Sequence, residues 1–305
     1  MNADVAVVTQ TYNGYRNLLG CDDADPPSAC DVEVRFTAQV SRTGAKDMVF
    51  GQLISAFEMA SRSPIIVAAN LSSPEDAPTS INNYTLHMEM LDFLHHEYTA
   101  TGSSPLHITL HAGELTPEVL PVGSDANTFH IRQAIELGHA ERIGHGLDVL
   151  SETDSAGLLA EMRDRGVMVE VCLSSNTQIL EVSGPEHPLS TYFDEGIPLA
   201  LATDDQGVSR SSMAGEYARA ALDQMLGYRR LKTMARTSLE HAFVPGDSLW
   251  VSPVDALPVD ACAATADDFV GEAPRPACEA FLATSEKARL QWALEGRFLA
   301  FERQQ

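Results

Sequence analysis

The feature that most constrains the fold is a regular alternation between short apolar runs and segments with helical periodicity. The apolar runs have the length of β-strands, and each precedes a stretch whose apolar residues recur at helical spacing. Nearly continuous apolar strands that alternate with helices are typical of a parallel sheet covered by helices. The predicted strands are Val32–Val40, Pro64–Leu71, Leu106–His111, Arg142–His145, Val167–Leu173 and Pro198–Thr203. The predicted helices include Asp47–Ala60, Tyr84–Tyr98, Thr128–Leu137 and Asp154–Arg165.

Two architectures fit this pattern, a doubly wound sheet and a (β/α) barrel. No GxGxxG or Walker sequence follows a strand, and ionisable residues cluster at the C-terminal ends of several strands, where barrel enzymes build their sites. We therefore predict a TIM-type (β/α)8 barrel in which about six βα units are present, at residues 1–246. From Gly246 to Cys278 the pattern changes to a Pro-, Asp- and Ala-rich loop, and a final helix is predicted at Cys278–Phe301. Residues 247–305 are thus expected to form a loop and helix extension that packs on the barrel.

Composition excludes several classes of partner. The 305 residues are 44% hydrophobic, which allows one large core, and they carry 20 basic against 43 acidic residues, a net charge of −23. A surface this acidic repels phosphate backbones and anionic lipids, so we expect neither nucleic acid nor membrane as a partner. No apolar run approaches the length that crosses a bilayer, and the first ten residues lack a signal-peptide pattern.

The five cysteines suggest two environments. Cys172 lies in an apolar run and is predicted to be a buried thiol, whereas the other four lie in loop-like stretches near the two ends. The spacing of Cys21 with Cys30, and of Cys262 with Cys278, is typical of short-range disulfides. If both pairs are bridged, the parent protein is periplasmic or secreted; four free cysteines would suit the cytoplasm. The sequence leaves both alternatives open.

The segment Leu106–Glu114 has the residue types that metal-assisted hydrolysis requires. A predicted strand delivers His111 at its C-terminal end, and Glu114 follows three residues later across an Ala-Gly turn. A metal ligand followed closely by a carboxylate suits hydrolysis, because the metal activates water while the carboxylate moves protons without being a ligand. This segment is therefore a candidate catalytic site.

Two further strand ends carry ionisable side chains. His145 ends a strand between two glycines, which leaves its ring unobstructed. Asp204 and Asp205 end an almost wholly apolar strand, and two buried carboxylates are costly unless a cation or hydrogen-bond donors satisfy them. An exposed Asp-Asp helix cap is the alternative for the last pair.

Together these segments resemble the adenosine deaminase family of metal-dependent amidohydrolases. The family has a His-Ala-Gly-Glu strand, then a Gly-His-Gly strand, then a Thr-Asp-Asp strand. Val169–Asn176 is similar to the family's seventh strand, and Arg236–Gly246 resembles the helix that closes its barrel, so the resemblance covers roughly residues 32–246. The matching strand ends, in the same order, are His111-Ala-Gly-Glu114, Gly144-His145-Gly146 and Thr203-Asp204-Asp205.

The resemblance implies a zinc cofactor and a role for each strand end. His111 and Asp204 would be zinc ligands. Glu114 would protonate the purine ring at N1 while hydroxide attacks C6, and His145 would orient or deprotonate the attacking water. The resemblance therefore implies that adenosine or deoxyadenosine is hydrolysed to inosine, or its deoxy form, and ammonia.

The resemblance also implies the substrate contacts, which Asp205 and Gly113 would make to a small-molecule purine nucleoside. In Val67–Asp76, however, the sequence Leu-Ser-Ser-Pro stands where the best-known adenosine deaminases place a glycine against the nucleoside. Two alternatives therefore stay open. One is a related aminohydrolase that acts on adenine or AMP, and the other is a non-catalytic, deaminase-like binding protein.

A further departure concerns the metal, because the family supplies two zinc ligands as His-x-His on its first strand and no His-x-His occurs in these 305 residues. His95 and His96 are neighbours on a predicted helix and are expected to point apart. His107 and His111 share a strand face but are separated by roughly 13 Å. The six units match the family's third to eighth, so we expect the missing strands upstream of Met1. The chain alone is then expected to be truncated, with weak zinc binding and little activity.

Overall fold

Four parallel strands organise residues 1–158, the first of two units of the chain. The computed structural model describes residues 2–100, 106–263 and 270–304. The strands are hydrogen bonded in the order β1-β2-β3-β4, and helices connect them along the chain. The elements are α1 (Asn2–Leu18), β1 (Phe36–Ser41), α2 (Lys46–Arg62), β2 (Ile66–Ser72), α3 (Pro78–Ala100), β3 (His107–Ala112), α4 (His130–Glu136), β4 (Arg142–His145) and α5 (Ser155–Arg165), which contains the division between the units.

The core of this unit lies between the sheet and its helices. Helix α2 packs on β1 and β2, and its residues Val49, Leu53 and Phe57 are completely buried. Because the strands are parallel, their C-terminal ends meet at one edge of the sheet. In barrels and open sheets of this class, ligand sites form at that edge.

The second unit, residues 159–305, contains two parallel strands, β5 and β6, and most of the remaining helices. Helix α10 packs against β6 and against α12. The elements are β5 (Met168–Val171), α6 (Leu173–Leu180), α7 (Leu189–Asp194), β6 (Leu199–Leu201), α8 (Gln206–Ser209), α9 (Met213–Leu222), α10 (Tyr228–Glu240), β7 (Trp250–Ser252), β8 (Leu257–Pro258), α11 (Pro276–Thr284) and α12 (Glu286–Glu302).

The predicted alternation of six strands with helices is confirmed, and the differences concern the ends of elements. The run predicted as a strand at Val32–Val40 becomes a strand only at Phe36, and Val32 is exposed. The run Val167–Leu173 is longer than β5, because the buried Leu173 already begins α6. An apolar run that continues from a buried strand into a buried helix cannot show where the strand ends.

The single C-terminal helix predicted at Cys278–Phe301 is wrong, because the structure has two helices that meet at Ser285. Ser285 is extended, with φ −127° and ψ 111°, and its hydroxyl oxygen accepts a hydrogen bond from the amide of Ala288 at 3.0 Å. The same hydroxyl donates to the carbonyl of Asp247 at 2.6 Å. A serine that caps the second helix in this way ends the first, since the extended backbone interrupts the helical hydrogen bonds.

The predicted loop before these helices contains a short antiparallel pair, β7 with β8, and its residues 264–269 lie outside the described residues. Helix α12 is joined to α10 by a bidentate ion pair, in which Arg236 donates to Glu295 at 2.6 and 2.8 Å. The contacts divide the chain after residue 158. The predicted domain boundary at residue 246 stays a prediction.

Both cysteine pairs are bridged, so of the two alternatives that the sequence left open, the structure has the disulfides and not four free cysteines. Cys21 is bonded to Cys30 and Cys262 to Cys278, while Cys172 is a buried free thiol, as predicted. Disulfides persist mainly in oxidising compartments, and export of the parent protein stays a prediction. Among the helices of the described residues, none has the length and apolarity needed to cross a membrane.

Candidate active site

Three of the predicted site residues meet where β3 and β4 end. The register pairs Ala112 with His145, so His111 lies diagonally across from His145, and their ring centroids are 4.5 Å apart. Glu114 reaches back over the turn, with its two carboxylate oxygens 3.5 Å from His111 Nε2 and 3.3 Å from His145 Nδ1. One ligating atom from each side chain lies within 4.8 Å of the others. We call His111, Glu114 and His145 the strand-end cluster.

The turns that present these side chains depend on backbone conformations that few residues adopt. Gly113 has φ 79°, and a Cβ there would lie 2.6 Å from Asp148 Oδ1 and 2.7 Å from Ile131 Cδ1, which glycine alone avoids. His145 has φ 71°, although it is not a glycine, and the amide of Gly146 donates to the carbonyl of Ala112 at 3.0 Å. Strain of this kind is typical of functional sites, where the surrounding structure holds it in place.

Glu75, which the sequence analysis did not select, lies at the centre of the site. Its Oε2 accepts from the amide of Glu114 at 2.7 Å and lies 3.5 Å from His111 Nε2. Its Oε1 accepts from His130 Nδ1 at 2.9 Å and lies 3.4 Å from Arg42 Nη1. Arg42 and Glu75 side chains are both completely buried. The signal that could have found Glu75 is an acidic residue just after an apolar strand, within Val67–Asp76.

Arg42 joins the ends of three strands. It follows β1, its guanidinium donates to the carbonyls of Leu71 at 2.6 Å and Ser72 at 3.3 Å, and it also donates to the carbonyl of His111. Its charge lies 5.5 Å from the centroid of the Tyr84 ring. A buried guanidinium that satisfies strand-end carbonyls fixes the backbone from which the functional side chains project.

The charges in the site determine the protonation of its groups. Burial by itself raises the pKa of Glu75, but the hydrogen bond from His130 and the charge of Arg42 outweigh it and hold this pKa well below its ordinary value. Burial, and then the neighbouring His145, lower the pKa of His111 well below its ordinary value. Glu75 is therefore ionised and His111 neutral near pH 7, so the imidazole keeps a lone pair.

Two more acidic groups lie behind the cluster. Burial, followed by the charges of Glu75 and Glu152, raises the pKa of Asp148 well above its ordinary value, and neither carboxyl oxygen of Asp148 has a hydrogen-bond partner in the described part of the chain. Glu152 Oε1 accepts from the amide of Ile131 at 2.6 Å and from that of Arg132 at 3.2 Å, at the start of α4. Burial raises the pKa of Glu152 to about 7.

The strand-end cluster fits a divalent metal ion. His111 Nε2 is buried, and within the described residues it has no hydrogen-bond partner, although two carboxylate oxygens lie 3.5 Å away. A neutral imidazole nitrogen that faces two carboxylates and a second imidazole is a donor set that zinc and similar ions prefer. His111 is therefore the residue of this unit best placed to hold the ion, with Glu114 and His145 beside it.

Asp204 and Asp205 lie in the second unit, in the turn between β6 and α8, where both are exposed. Asp204 has φ 51°, and the carbonyl of Asp205 accepts from the amides of Val208 and Ser209 at 2.9 Å each, so Asp205 immediately precedes the helix. The alternative prediction for this pair, an exposed position at the start of a helix, matches the local structure. Metal binding by Asp204 and purine binding by Asp205 stay predictions.

The expectation that His95 and His96 point apart is wrong. A ligating atom of each lies within 4.8 Å of the other, and both lie equally near one from His139. Sequence reasoning missed His139, because it comes from the loop after α4 and meets α3 only through tertiary packing. We call His95, His96 and His139 the helix cluster. His107, by contrast, pairs with Glu141 at 2.9 Å.

Relatives with curated names match this chain over part of its length. An adenine deaminase of Sinorhizobium medicae is 34% identical over 140 residues, which are 46% of this chain and 39% of the relative. An adenosine deaminase of Escherichia coli is 35% identical over 157 residues, which are 51% of this chain and 43% of the relative. The chain thus spans about two fifths of the length of these relatives.

Solved structures share the fold. The adenine deaminase from Arthrobacter aurescens aligns with a TM-score of 0.55 and 21% identity over 76% of this chain and 62% of that one. Arabidopsis ADAL complexed with IMP has a TM-score of 0.51 and 22% identity over 71% of this chain and 58% of that one. A zinc-bound amidohydrolase from Burkholderia ambifaria has a TM-score of 0.50 and 17% identity over 70% of this chain and 53% of that one.

These similarities confirm the predicted α/β fold class. The family itself follows from the sequence match, since residues 18–249, about three quarters of the chain, match the profile described as adenosine deaminase. The motifs, the parallel strands and this match agree, and the chain belongs to the adenosine deaminase family.

Proposed function

We propose that this chain contributes the strand-end half of a zinc-dependent purine deaminase site, whose reaction replaces an exocyclic amine by oxygen and releases ammonia. The observation that carries the proposal is the approach of His111, Glu114 and His145, whose ligating atoms lie within 4.8 Å of one another. Zinc, when bound, would lower the pKa of water so that hydroxide is available near neutral pH. His111 would hold the ion in this unit, and zinc ligation by Asp204, which lies in the second unit, is proposed from the family resemblance alone.

The chain's own residues would move the protons. In adenosine deamination, one water adds to C6 and the amine leaves as ammonia, with inosine as the product. Glu114 is 10% exposed, so it can meet a ligand and can protonate the purine at N1. Its Oε1, 3.3 Å from His145 Nδ1, gives His145 the partner with which to orient the attacking water. Glu75 holds the backbone amide of Glu114 and is a positioning residue.

Sequence identity does not distinguish adenosine from adenine as the substrate, because one adenine deaminase and one adenosine deaminase match this chain at similar identity. A local feature bears on this choice. Ser73, within the segment that replaces the expected glycine, has φ 87°, a conformation that glycine favours. We propose that Ser73→Gly shifts relative turnover from adenine toward adenosine.

The proposal is tested by ammonia release from adenosine, deoxyadenosine, adenine and AMP, with and without added zinc. Turnover by this chain alone is expected to be low, since it lacks His-x-His, so zinc binding by equilibrium dialysis is the second measurement. Glu114→Gln should abolish any turnover and keep the zinc of the strand-end cluster, whereas His111→Ala should lose that zinc. Exposed Glu118→Gln is the matched control for Glu114. If His111→Ala binds as many zinc ions as the wild type, or if measurable wild-type turnover is unchanged by Glu114→Gln, the proposal is overturned.

A further inference from the structure

The helix cluster lies away from the strand-end cluster, at the opposite edge of the sheet. His95 and His96 are on the last two turns of α3, and His139 precedes β4, whereas His111 and His145 follow the strands. The rings of His95 and His139 are stacked, with centroids 3.9 Å apart and planes inclined by 14°. The His96 ring stands at 78° to that of His139, with centroids 5.6 Å apart. Three imidazoles therefore share one small surface region.

Asp92 supplies the negative charge that such a group of imidazoles needs. Its Oδ1 lies 2.7 Å from His139 Nε2 and 3.2 Å from His96 Nδ1, and its backbone carbonyl lies 2.8 Å from His96 Nδ1. When these nitrogens donate their protons to Asp92, the other nitrogen of each ring keeps its lone pair. A carboxylate that orients an imidazole in this way is the usual partner of metal-binding histidines.

The available nitrogens also have few other roles. His95 Nδ1 is buried and has no hydrogen-bond partner within the residues described. His139 has φ 54°, a left-handed conformation that brings its ring over α3. An unprotonated imidazole is the form that binds metal.

We propose that His95, His96 and His139 form a second metal site, which takes a divalent first-row transition cation and uses Asp92 to orient the rings. Zinc–nitrogen bonds of about 2.0–2.1 Å in a tetrahedron place ligand nitrogens roughly 3.3 Å apart. One nitrogen of each ring lies within 4.8 Å of one nitrogen of each other ring, so the rings must move closer together when an ion binds. His96 is exposed and can make this movement. Three imidazoles favour zinc, nickel or copper over calcium or magnesium, which prefer oxygen ligands.

The ion would connect two segments that are far apart in the chain. It would tie the end of α3 to the loop between α4 and β4, and so stabilise the first unit against unfolding. This site is independent of the proposed deaminase reaction, because none of its residues belongs to the strand-end cluster.

The test measures zinc bound by the full chain in equilibrium dialysis, with zinc ion as the probe. His96→Gln should lose one bound equivalent, or weaken it at least tenfold, compared with the wild type. His107→Gln is the matched control, since His107 is also partly exposed and paired with a carboxylate but lies outside the cluster. Equal binding by the wild type, His96→Gln and His107→Gln would overturn the proposal.

A second measurement separates the two clusters. His111→Ala should remove the ion of the strand-end cluster and keep the one proposed here, so zinc should still raise the Tm of this variant. Zinc should leave the Tm of His111→Ala/His96→Gln unchanged. If zinc raises the Tm of both variants equally, the helix cluster does not bind it, whatever the outcome of the deaminase assays.

Discussion

The two histidine clusters of the first unit use similar ligands in contrasting surroundings. In each, three ligating atoms lie within 4.8 Å of one another. The strand-end cluster rests on Glu75 and Arg42, whose side chains are completely buried, whereas the helix cluster rests on Asp92, whose side chain is 38% exposed. Buried charges must be paired, because water cannot solvate them, while exposed ones keep most of their solvation. The stability of the strand-end cluster should therefore depend far more on Glu75 than the stability of the helix cluster depends on Asp92.

Neutralising the supporting carboxylate of each cluster should give the largest difference between the two. Glu75→Gln removes the charge opposite buried Arg42 and places an amide NH2 group near the amide of Glu114. Leaving a buried charge unpaired costs about 3–5 kcal/mol, and we expect that loss in the free energy of unfolding. Asp92→Asn, in a half-exposed position, should cost less than about 1 kcal/mol.

Urea denaturation of the two variants at pH 7 provides both values. If Glu75→Gln costs less than Asp92→Asn, the buried network does not support the strand-end cluster in the way its geometry indicates. If Glu75→Gln does not fold, the refolding yields of the two variants can be compared in the presence of a stabilising osmolyte. Asp92→Asn should then refold like the wild type, and Glu75→Gln should refold with a lower yield.

Backbone conformation gives a second contrast, now within the strand-end cluster. Gly113→Ala places a Cβ 2.6 Å from Asp148 Oδ1 at φ 79°, and the combined strain and overlap should cost about 2–3 kcal/mol. Gly144→Ala is the matched control, because its Cβ would lie 3.5 Å from His111 Cα, an ordinary contact. It should cost less than about 1 kcal/mol. Thermal and urea unfolding of both variants measure the difference, and equal losses would contradict the role assigned to Gly113.

The same contrast explains how far the sequence alone could predict this molecule. Each strand-end side chain follows an apolar run, so local pattern and family motif together locate His111, Glu114 and His145. Glu75 also follows such a run, but no motif marks it, and its importance arises from its contact with Arg42, 33 residues earlier in the sequence.

The helix cluster could not be predicted, because it forms only when the loop of His139 packs on α3. Helical periodicity predicts that His95 and His96 are neighbours on one helix, but it cannot predict that His139, from another segment, packs beside them. The break at Ser285 was missed for a related reason. Its hydroxyl accepts from the amide of Ala288 and also donates to the carbonyl of Asp247. The contact with Asp247, 38 residues away in sequence, forms only in the folded protein. Local patterns therefore predict elements and strand ends, while tertiary contacts decide which side chains share a site.

The smallest expected effect concerns pH and compares a buried carboxyl group with an exposed one. Glu152 is 4% exposed, and burial raises its pKa to about 7, above an ordinary value near 4.5. The folded state therefore prefers the protonated form. Below about pH 4.5 the group is protonated in both states and does not affect stability. Between about pH 4.5 and 7 it ionises in the unfolded state but stays protonated in the folded state, which lowers the free energy of the unfolded state. Stability from this group is thus lost between about pH 4.5 and 7.

Glu152→Gln should remove that loss, because an amide does not titrate but can still accept from the amides that begin α4. Relative to the variant, the wild type should lose about 2 kcal/mol of unfolding free energy between pH 5 and pH 7.5. Glu136→Gln is the control, since Glu136 is 44% exposed and pairs with Arg132 at the surface. Urea unfolding at the two pH values gives the comparison. A wild-type curve that runs parallel to that of Glu152→Gln would show that Glu152 is ionised in the folded protein, and that burial beside the strand-end cluster does not control its charge.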